Sequence, residues 1–464
     1  MSGGPRRRLF GTDGIRGVAG EFPLDQTTVE MIGRALTDNL KLEIGRAPGI
    51  VIGRDTRESG PEITQALRRG AEAAGALVES AGVITTPGVA YITRIRPFDA
   101  GVVISASHNP YRDNGIKVFS PTGKKLADEV ERKIEAEIET LTANQPGSDS
   151  VDPFRGSFAS SEPQHHSESH YRSQYLEYLA ADVGRGLRLD GIRIGLDCAN
   201  GAASFIAPEV FERLGARVKV ISAAPDGRNI NEDCGSLHQQ GLQRLVVDEA
   251  LELGVAFDGD ADRALFVDAR GMLVDGDQMM LILASHMKSE GKLAGDLVVS
   301  TVMSNLGFEI ALRERGIDLV RAQVGDRYVL EELLSRGGRL GGEQSGHIIM
   351  PDIALSGDGI VTAIEVLRAM KKRGRPLGEL ASEMTRFPQI LVNVRVSRKP
   401  PLETIPEIEQ SMARVENEMG GRGRLLVRYS GTENLARVMI EGENQELIEE
   451  QANRVAEVIR QTLG

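Results

Sequence analysis

Short apolar runs bounded by glycine recur along the chain and alternate with segments of helical periodicity. Gly49–Asp55 is GIVIGRD, Gly191–Asp197 is GIRIGLD with five of seven positions identical, and Gly295–Thr301 is GDLVVST. The β-branched, apolar character of these runs predicts buried strands. Helix-like segments follow, as at Glu62–Ala74 and Ile206–Leu214. Strands that alternate with helices predict βαβ units, so we expect an α/β fold of three related domains with mixed, mostly parallel sheets.

Each repeat also offers a second strand that ends in an unusual loop. GVVISAS precedes His108, GVAFDGD occupies Gly254–Asp260, and GRLGGEQSGH occupies Gly338–His347. In sheets of this kind, ligands bind beyond the carboxyl ends of the strands. The three loops are therefore the first places to look for a functional site.

The last part of the chain has a different order of elements. Period-2 alternation predicts strands over Ile390–Val396, Leu425–Tyr429 and Ala436–Glu441, and helical periodicity predicts helices over Leu402–Met419 and Gln445–Leu463. This β-α-β-β-α order predicts a small C-terminal α+β domain. The last helix should bury the face formed by Leu447, Ile448, Ala452, Val455, Ala456, Ile459 and Leu463.

Two polar or proline-flanked stretches are candidate linkers. Phe154–His170 is rich in Ser, Gly, Pro and His, and the region after Arg373 is flanked by Pro376 and Pro388. The predicted domains are 1–160 with the Ser107 loop, 168–268 with an aspartate loop, 269–382 with the GGEQSGH loop, and 388–464 with an arginine loop.

Composition narrows the class of protein. The 464 residues are 41% hydrophobic and 26% charged, as expected of a soluble globular chain. The net charge of −12 argues against nucleic-acid binding. Cys198 and Cys234 are too few for a disulfide framework or a four-cysteine metal site. The start MSGGPRRRLF leads into no apolar signal segment, and no apolar run is long enough to span a bilayer, so we expect a cytoplasmic protein without a membrane partner.

The most informative chemical motif is DGDADR, residues 258–263. Alternate side chains of an extended segment point to one side, so Asp258, Asp260 and Asp262 should converge. Three carboxylates held together require a cation, and oxygen ligands favour Mg²⁺ over Ca²⁺ or Mn²⁺. An EF-hand is excluded because Arg263 and Ala269 stand where glycine and glutamate belong. A simple Asp/Gly turn is the alternative.

Ser107 stands beyond the end of a predicted core strand, and Pro110 forces the chain to turn there. A hydrolase nucleophile is disfavoured because the chain lacks G-x-S-x-G, and a kinase is disfavoured because it lacks the glycine-rich nucleotide loops. A turn without chemistry remains the other interpretation. The chain offers a metal site, a serine, the nearby Lys117 and several arginines, but no nucleotide-binding loop. This combination favours phosphoryl transfer between protein and substrate.

Three further loops offer binding groups. In GGEQSGH, Glu343 and Ser345 suit vicinal sugar hydroxyls, although a plain turn is equally compatible with the sequence. RYSGT, residues 428–432, offers a guanidinium, hydroxyls and backbone amides for an anion, with Arg437 on the next strand; a surface hairpin is the alternative. FGTDGIRG near the start could bring Arg16 over the metal and Ser107.

The chain resembles the α-D-phosphohexomutase superfamily in several motifs that occur in the same order. They are SASHNP with DNGIK, DGDADR, GGEQSGH and RYSGTEN. FGTDGIRG and the centre of the GGEQSGH loop most resemble the bacterial branch that acts on glucosamine phosphates. The resemblance covers essentially the whole chain. It implies four domains around a central cleft, the first three of related α/β topology and the last α+β.

The resemblance also implies roles for the residues of the motifs. Ser107 would be a phosphoserine whose phosphate completes the ligation of one Mg²⁺ ion by Asp258, Asp260 and Asp262. The implied reaction-centre residues are Arg16, His108, Lys117 and Arg263, with Lys117 a general acid/base. The implied sugar-site residues are Glu343, Ser345, His347 and the cleft-facing Arg327. The implied distal phosphate site is Arg428, Ser430, Gly431 and Thr432, which Arg437 could assist.

The activity implied is an intramolecular phosphotransfer. Glucosamine 6-phosphate would become glucosamine 1-phosphate through a glucosamine 1,6-bisphosphate intermediate, which also serves as activator. The alternatives are a mutase for glucose or mannose phosphates and a non-catalytic sugar-phosphate-binding protein. The expected partner is a small phosphosugar; the kinase or bisphosphate donor that primes Ser107 is unidentified, and the sequence leaves a homodimer open.

Overall fold

Four β-sheets organise the residues that the computed structural model describes, which are 9–11, 14–143, 164–420, 423–430 and 434–464. Three sheets combine parallel and antiparallel pairings, and the fourth is antiparallel throughout. The predicted α/β plus α+β fold class is confirmed. The chain clusters into two compact units, 1–302 with 320–381 and 303–319 with 382–464. No described helix has both the length and the apolar character that crossing a membrane requires.

The first sheet contains the strand that leads to Ser107. Its six strands are β1 Phe10–Gly11, β2 Gly14–Val18, β3 Gly49–Arg54, β4 Leu77–Val83, β5 Ala100–Ile104 and β6 Asp113–Phe119, in the order β1-β2-β6-β5-β3-β4. The helices of this part are α1 Gln26–Ile44, α2 Gly60–Ala73, α3 Thr86–Ile95 and α4 Asp128–Ala143. Every residue of β5 is buried, as expected of a strand in the middle of a covered sheet.

The second sheet contains the strand that leads to the aspartates. Its strands are β7 Arg193–Asp197, β8 Arg217–Ile221, β9 Leu253–Phe257, β10 Ala264–Asp268 and β11 Leu273–Val274, in the order β11-β10-β9-β7-β8. The helices of this part are α5 Gln164–Glu177, α6 Ala207–Arg213 and α7 Gln240–Asp248.

The third sheet is shorter. Its strands are β12 Leu297–Thr301, β13 Asp318–Ala322, β14 Gly341–Gly342 and β15 Ile348–Ile349, in the order β13-β12-β14-β15. The helices along this part of the chain are α8 Gly276–Ser289, α9 Leu306–Glu314, α10 Asp326–Arg336, α11 Gly359–Arg373 and α12 Leu377–Ala381.

The predicted repeat is visible in the strand pairings. The first strand of each repeat (β3, β7 and β12) pairs in parallel with a later strand (β5, β9 and β14). That later strand then pairs antiparallel with the next one (β6, β10 and β15). The loops β5–β6, β9–β10 and β14–β15 are therefore equivalent, and they are the three loops singled out in the sequence.

The matching sequences at the ends of β3 and β7 make the same hydrogen bond. Asp55 Oδ1 accepts from the backbone N–H of Arg57 at 3.0 Å, and Asp197 Oδ1 accepts from that of Ala199 at 2.9 Å. Both aspartates are fully buried. The aspartate shared by GIVIGRD and GIRIGLD thus fixes the turn after the strand in both repeats, which is typical of Asx turns.

The second unit contains the antiparallel sheet. Its strands are β16 Gln389–Arg395, β17 Gly423–Tyr429 and β18 Leu435–Gly442, in the order β16-β18-β17, and its long helices are α13 Pro406–Met419 and α14 Gln445–Leu463. These elements agree with the predicted β-α-β-β-α order. Leu447 is an exception to the predicted buried face of α14, because it is 46% exposed while Ile448 beside it is buried. It lies in the first turn of the helix, at the edge of the apolar stripe.

The predicted linker over Phe154–His170 is wrong in its last part, because α5 begins at Gln164. The rest of that stretch lies outside the described residues. Tyr171 and Glu168 of this helix attach it to β4: Tyr171 Oη donates to Glu79 Oε2 at 2.5 Å, and Ser80 Oγ donates to Glu168 Oε1 at 2.7 Å. The helix is polar overall, so its position depends on these tertiary contacts, which the local composition does not reveal.

Candidate active site

The β5–β6 loop holds Ser107 in an unusual conformation. Ser107 has φ 54°, in the left-handed region, and is 1% exposed. A buried residue other than glycine in that region costs about 1–3 kcal/mol, and such strain is typical of functional sites. Its backbone N–H donates to Ser105 Oγ at 2.9 Å, and Ser105 Oγ in turn donates to Asp55 Oδ2 at 2.7 Å. The turn after β3 therefore supports the Ser107 loop.

The Ser107 hydroxyl points at the aspartates. Ser107 Oγ donates to Asp258 Oδ2 at 2.5 Å and lies 3.2 Å from His108 Nδ1. Burial lowers the pKa of His108 to about 4, with help from the positive charges of Arg263 and Arg16. The imidazole is therefore neutral at pH 7, so one of its nitrogens is free of a proton.

The β9–β10 loop brings together the three predicted aspartates. One carboxylate oxygen from each of Asp258, Asp260 and Asp262 lies within 4.8 Å of the other two, and the three side chains are buried. Ala261 between them has φ 58°. Burial, together with the charges of Asp262 and Asp260, raises the pKa of Asp258 well above its usual range. The protein thus concentrates negative charge where water cannot screen it.

A buried ammonium neutralises part of this charge. Lys117 Nζ of β6 lies 2.9 Å from Asp260 Oδ2 and 3.3 Å from Asp262 Oδ2, and the lysine is 1% exposed. Burial opposes ionisation of Asp262, but Lys117 and His347 outweigh it and hold the pKa of Asp262 well below its usual range. Arg263 Nε lies 3.8 Å from Asp262 Oδ1.

The aspartate cluster fits a hard divalent cation. Asp260 Oδ1 and Asp262 Oδ1 are buried and accept no hydrogen bond from the described residues. Buried carboxylate oxygens without donors are costly unless a cation coordinates them. Oxygen-only donors of this kind suit Mg²⁺ or Ca²⁺ better than Zn²⁺.

The β14–β15 loop reaches the same cluster. His347 Nδ1 lies 3.7 Å from Asp262 Oδ1. Burial would lower the pKa of His347, but the negative charge of Asp262 outweighs it and the pKa is raised. Ser345 Oγ donates to Glu343 Oε2 at 3.3 Å, so the two predicted sugar-binding groups are adjacent. Gly346 of this loop has φ 90°, and a Cβ there would lie 2.2 Å from the backbone oxygen of Ala264.

The structure brings the other predicted residues to different places. Arg16 lies on β2 opposite Gly115 of β6, and its charge acts on His108. Arg327 instead forms ion pairs with α4: it contacts Asp128, and its Nη2 lies 2.9 Å from Glu131 Oε1. These ion pairs do not test the sugar-site role implied for Arg327, which stays a prediction.

The predicted anion site lies in the second unit. Arg428 of β17 stands directly opposite Arg437 of β18, and Ser430 next to this pair is buried. Burial lowers the pKa of Arg428, and the like charge of Arg437 lowers it further. Like charges opposite each other destabilise a sheet, so the pair favours a bound anion. Gly431 and Thr432 lie outside the described residues.

Three residues that support the site were missed by sequence reasoning. Arg57 Nη2 donates to the carbonyl of Ser107 at 3.0 Å, Asn231 Nδ2 donates to the same carbonyl at 2.9 Å, and Thr86 Oγ1 donates to Asp260 Oδ2 at 2.6 Å. All three are remote in sequence from what they hold. The repeat gave no signal for Arg57, because Ala199 stands at the equivalent position after GIRIGLD.

Four family models match the chain in order. They are described as phosphoglucomutase/phosphomannomutase alpha/beta/alpha domain I over residues 7–145, domain II over 173–271 and domain III over 275–387, and the C-terminal domain over 391–458. The matched ranges contain the three loops and the Arg428–Arg437 pair.

Curated relatives match over nearly the full length. A phosphoglucosamine mutase of Solibacter usitatus is 50% identical over 98% of this chain and 99% of its own. One of Deinococcus radiodurans is 46% identical over 98% of both. Among solved structures, a phosphoglucomutase/phosphomannomutase family protein of Burkholderia thailandensis has a TM-score of 0.77 at 22% identity, covering 98% of this chain and 97% of its own. An Aspergillus fumigatus N-acetylphosphoglucosamine mutase, in complex with GlcNAc-6P and magnesium, has a TM-score of 0.68 at 19% identity, covering 98% and 96%. At these identities the structures show a shared fold.

Proposed function

The chain belongs to the phosphoglucomutase/phosphomannomutase family, and on that premise we propose that it interconverts glucosamine 6-phosphate and glucosamine 1-phosphate. The curated relatives that match nearly the whole chain are phosphoglucosamine mutases. The reaction is an isomerisation by intramolecular phosphotransfer, and its product feeds UDP-N-acetylglucosamine and cell-wall synthesis.

One observation carries the mechanism. The Ser107 hydroxyl donates at 2.5 Å to Asp258, a member of a buried aspartate trio in which two carboxylate oxygens accept no hydrogen bond from the described residues. A serine that only turns the chain has no need of such a neighbour. A serine that carries a phosphoryl group does, because the dianion requires a cation beside it.

We assign the metal to Ser107 and the aspartate trio. Asp258, Asp260 and Asp262 would hold one Mg²⁺ ion, together with the phosphate of phosphoserine 107. When bound, the ion neutralises charge on the transferring phosphoryl group and helps to orient it.

Transfer begins at phosphoserine 107. Its phosphoryl group moves to the free hydroxyl of glucosamine 6-phosphate, which gives glucosamine 1,6-bisphosphate. Lys117, buried beside Asp260 and Asp262, is the proposed acid/base: it protonates the departing serine oxygen and takes up the proton that the attacking sugar hydroxyl loses. In the second transfer it takes the proton of the Ser107 hydroxyl and gives a proton to the departing O6. Arg16, His108 and Arg263 complete the proposed reaction centre.

The intermediate must turn over between the two transfers. Ser107 then takes the phosphoryl group from O6 and releases glucosamine 1-phosphate. Glu343 and Ser345, with His347 beside them, are the proposed partners of the sugar hydroxyls. The phosphate that is not reacting is assigned to Arg428, Ser430, Gly431 and Thr432, with Arg437. This site must accept the sugar in both orientations, and the arginine pair across β17 and β18 supports it because an anion relieves its repulsion.

A substrate panel tests the proposal. Purified protein, primed with glucosamine 1,6-bisphosphate in the presence of Mg²⁺, is assayed with glucosamine, glucose and mannose 6-phosphates. We expect the highest kcat/KM with glucosamine 6-phosphate. A preference for glucose or mannose phosphate would select the alternative mutase, and binding without turnover would select a sugar-phosphate-binding protein.

The phosphoserine is tested separately. We expect Ser107→Ala to abolish turnover, and intact mass to show the loss of one phosphoryl group when the wild-type protein is treated with phosphatase. Unchanged turnover in Ser107→Ala would refute the mechanism. The priming kinase or bisphosphate donor, a homodimer and a cytoplasmic location remain predictions.

A further inference from the structure

A buried arginine outside the reaction centre uses all of its donors on the Ser107 loop and its support. The Arg57 side chain is fully buried. Its Nε donates to Asp55 Oδ2 at 2.9 Å, and its Nη1 donates to the carbonyls of Pro110 and, at 2.9 Å, Asp113. Its Nη2 donates to the carbonyls of Ser107 at 3.0 Å and Asn109 at 2.8 Å. A guanidinium has five N–H donors, so none is left for another role.

Both backbone polar groups of Ser107 are thus held by hydrogen bonds. Its N–H is held by Ser105 Oγ and its carbonyl by Arg57, and both of these partners are anchored on Asp55 Oδ2. Asn231 adds a second clamp, because its Nδ2 donates to the carbonyls of Ser107 at 2.9 Å and Asn109 at 3.0 Å. The left-handed conformation of Ser107, φ 54°, is therefore imposed by its surroundings.

Arg57 contacts the Ser107 loop through backbone carbonyls. In the described part of the chain, no hydrogen bond of Arg57 reaches Ser107 Oγ or a member of the aspartate trio. An effect of this side chain on the reaction must therefore pass through the orientation of Ser107. Lysine cannot replace it, because an ammonium has three donors on a single nitrogen and cannot reach the four carbonyls that the planar guanidinium contacts.

We propose that Arg57 is a positioning residue that locks the Ser107 loop in the left-handed conformation, so that the phosphoryl group faces the aspartate trio. The proposal rests on the proposed phosphoserine mechanism. Misplacing a reacting group by about 1 Å costs up to about 100-fold in rate. Loss of the lock should therefore lower the rate of transfer while sugar binding, which uses other loops, persists.

The test compares Arg57→Lys, Asn231→Gly and Arg228→Lys in the full-length protein. Asn231 itself has φ 59°, so glycine keeps its backbone conformation while removing the amide. Arg228 is the matched control, because it is an exposed arginine whose side chain forms an ion pair with Glu58 at the surface. We expect Arg57→Lys to lower kcat by about 10- to 100-fold with KM changed less than threefold. Asn231→Gly should show the same pattern more weakly, and Arg228→Lys should behave as wild type.

Hydrogen exchange provides a readout that needs no substrate. We expect the amides of residues 105–109 to exchange faster in Arg57→Lys and Asn231→Gly than in Arg228→Lys. If wild type fails to convert any hexose phosphate, the proposed function fails, and these exchange rates still decide whether the loop is locked. Wild-type kcat in both loop variants, or a raised KM at unchanged kcat, would overturn the proposal. If Arg57→Lys does not fold, Asn231→Gly decides.

Discussion

Replacing Lys117 by methionine tests the electrostatics on which the site depends. Lys117 Nζ is 2.9 Å from Asp260 and 3.3 Å from Asp262, and all three side chains are buried. Methionine preserves much of the volume and removes the charge. Breaking a buried ion pair by deleting one partner costs about 3–5 kcal/mol, because the remaining charge stays buried without compensation. We therefore expect Lys117→Met to lower the free energy of unfolding by about 3–5 kcal/mol in EDTA.

Magnesium should recover part of this loss. Without the ammonium, the aspartates hold more uncompensated negative charge, so a divalent cation should bind them more tightly. Each tenfold fall in Kd adds about 1.4 kcal/mol of stabilisation at saturating metal. The gain in stability on adding Mg²⁺ should accordingly be larger for Lys117→Met than for the wild-type protein.

The assay is urea unfolding followed by circular dichroism, in EDTA and in Mg²⁺. Lys219→Met is the control: Lys219 Nζ lies 3.3 Å from Glu249 Oε2, and the two side chains are 58% and 47% exposed. Such a pair, within reach of water, contributes about 1 kcal/mol or less. If Lys117→Met is as stable in EDTA as Lys219→Met, or if Mg²⁺ stabilises Lys117→Met no more than the wild-type protein, the charge balance deduced for the site is wrong.

Three further predictions concern other positions. Burial raises the pKa of Asp358 to about 6, so the folded protein binds this proton more tightly than the unfolded chain. The free energy of unfolding should fall by about 3 kcal/mol as pH rises from about 4 to 7, and urea titrations of Asp358→Asn should lack that fall. Gly346→Ala should lower the free energy of unfolding by about 2–4 kcal/mol, because its Cβ would lie 2.2 Å from a backbone oxygen. Gly374→Ala is the control: Gly374 has φ 62° and open space around it, so the loss there should be about 1 kcal/mol. Equal thermal midpoints for the two variants would contradict this. Arg428→Gln should raise KM for glucosamine 6-phosphate at least about tenfold, because it removes a charged phosphate contact. It should not lower the thermal midpoint, because it also removes the repulsion between Arg428 and Arg437. An unchanged KM would exclude a phosphate contact at Arg428.

The sequence allowed the repeat and the loops to be predicted because both are local patterns. Glycine followed by β-branched residues marks β3 and β7, and the aspartate at the end of each run makes the same hydrogen bond in both. The convergence of the aspartate trio was predicted for an extended segment, but the loop achieves it through a turn, in which the N–H of Ala261 donates to the carbonyl of Asp258 at 3.1 Å and Ala261 has φ 58°. Lys117 was predictable as a site residue because it lies on the strand that leaves the Ser107 loop.

Tertiary contacts decided what the sequence could not show. Thr86 and Asp260 are 174 positions apart, and Asn231 and Ser107 are 124 apart. In the sequence, Arg57 looks like any polar residue that follows a strand. Its role is visible only in the structure, where its guanidinium donates to carbonyls of the Ser107 loop. The two carboxylates of α4 that pair with Arg327 could likewise not be predicted from the sequence around it. In each case, a side chain's local pattern does not specify which distant element meets it.

The three equivalent loops share a backbone feature that unites these observations. Ser107, Ala261 and Gly346 each lie in the loop between two antiparallel strands of their repeat, and their φ angles are 54°, 58° and 90°. Serine and alanine are unfavourable in this region, so their conformation must be imposed by surrounding contacts. At Gly346 a close backbone neighbour excludes any Cβ, whereas Ser107 keeps its side chain at the cost of the strain. Each of the three loops thus contains a residue with positive φ, and of Ser107, Ala261 and Gly346 only Ser107, which presents its hydroxyl to the aspartates, carries a reactive side chain.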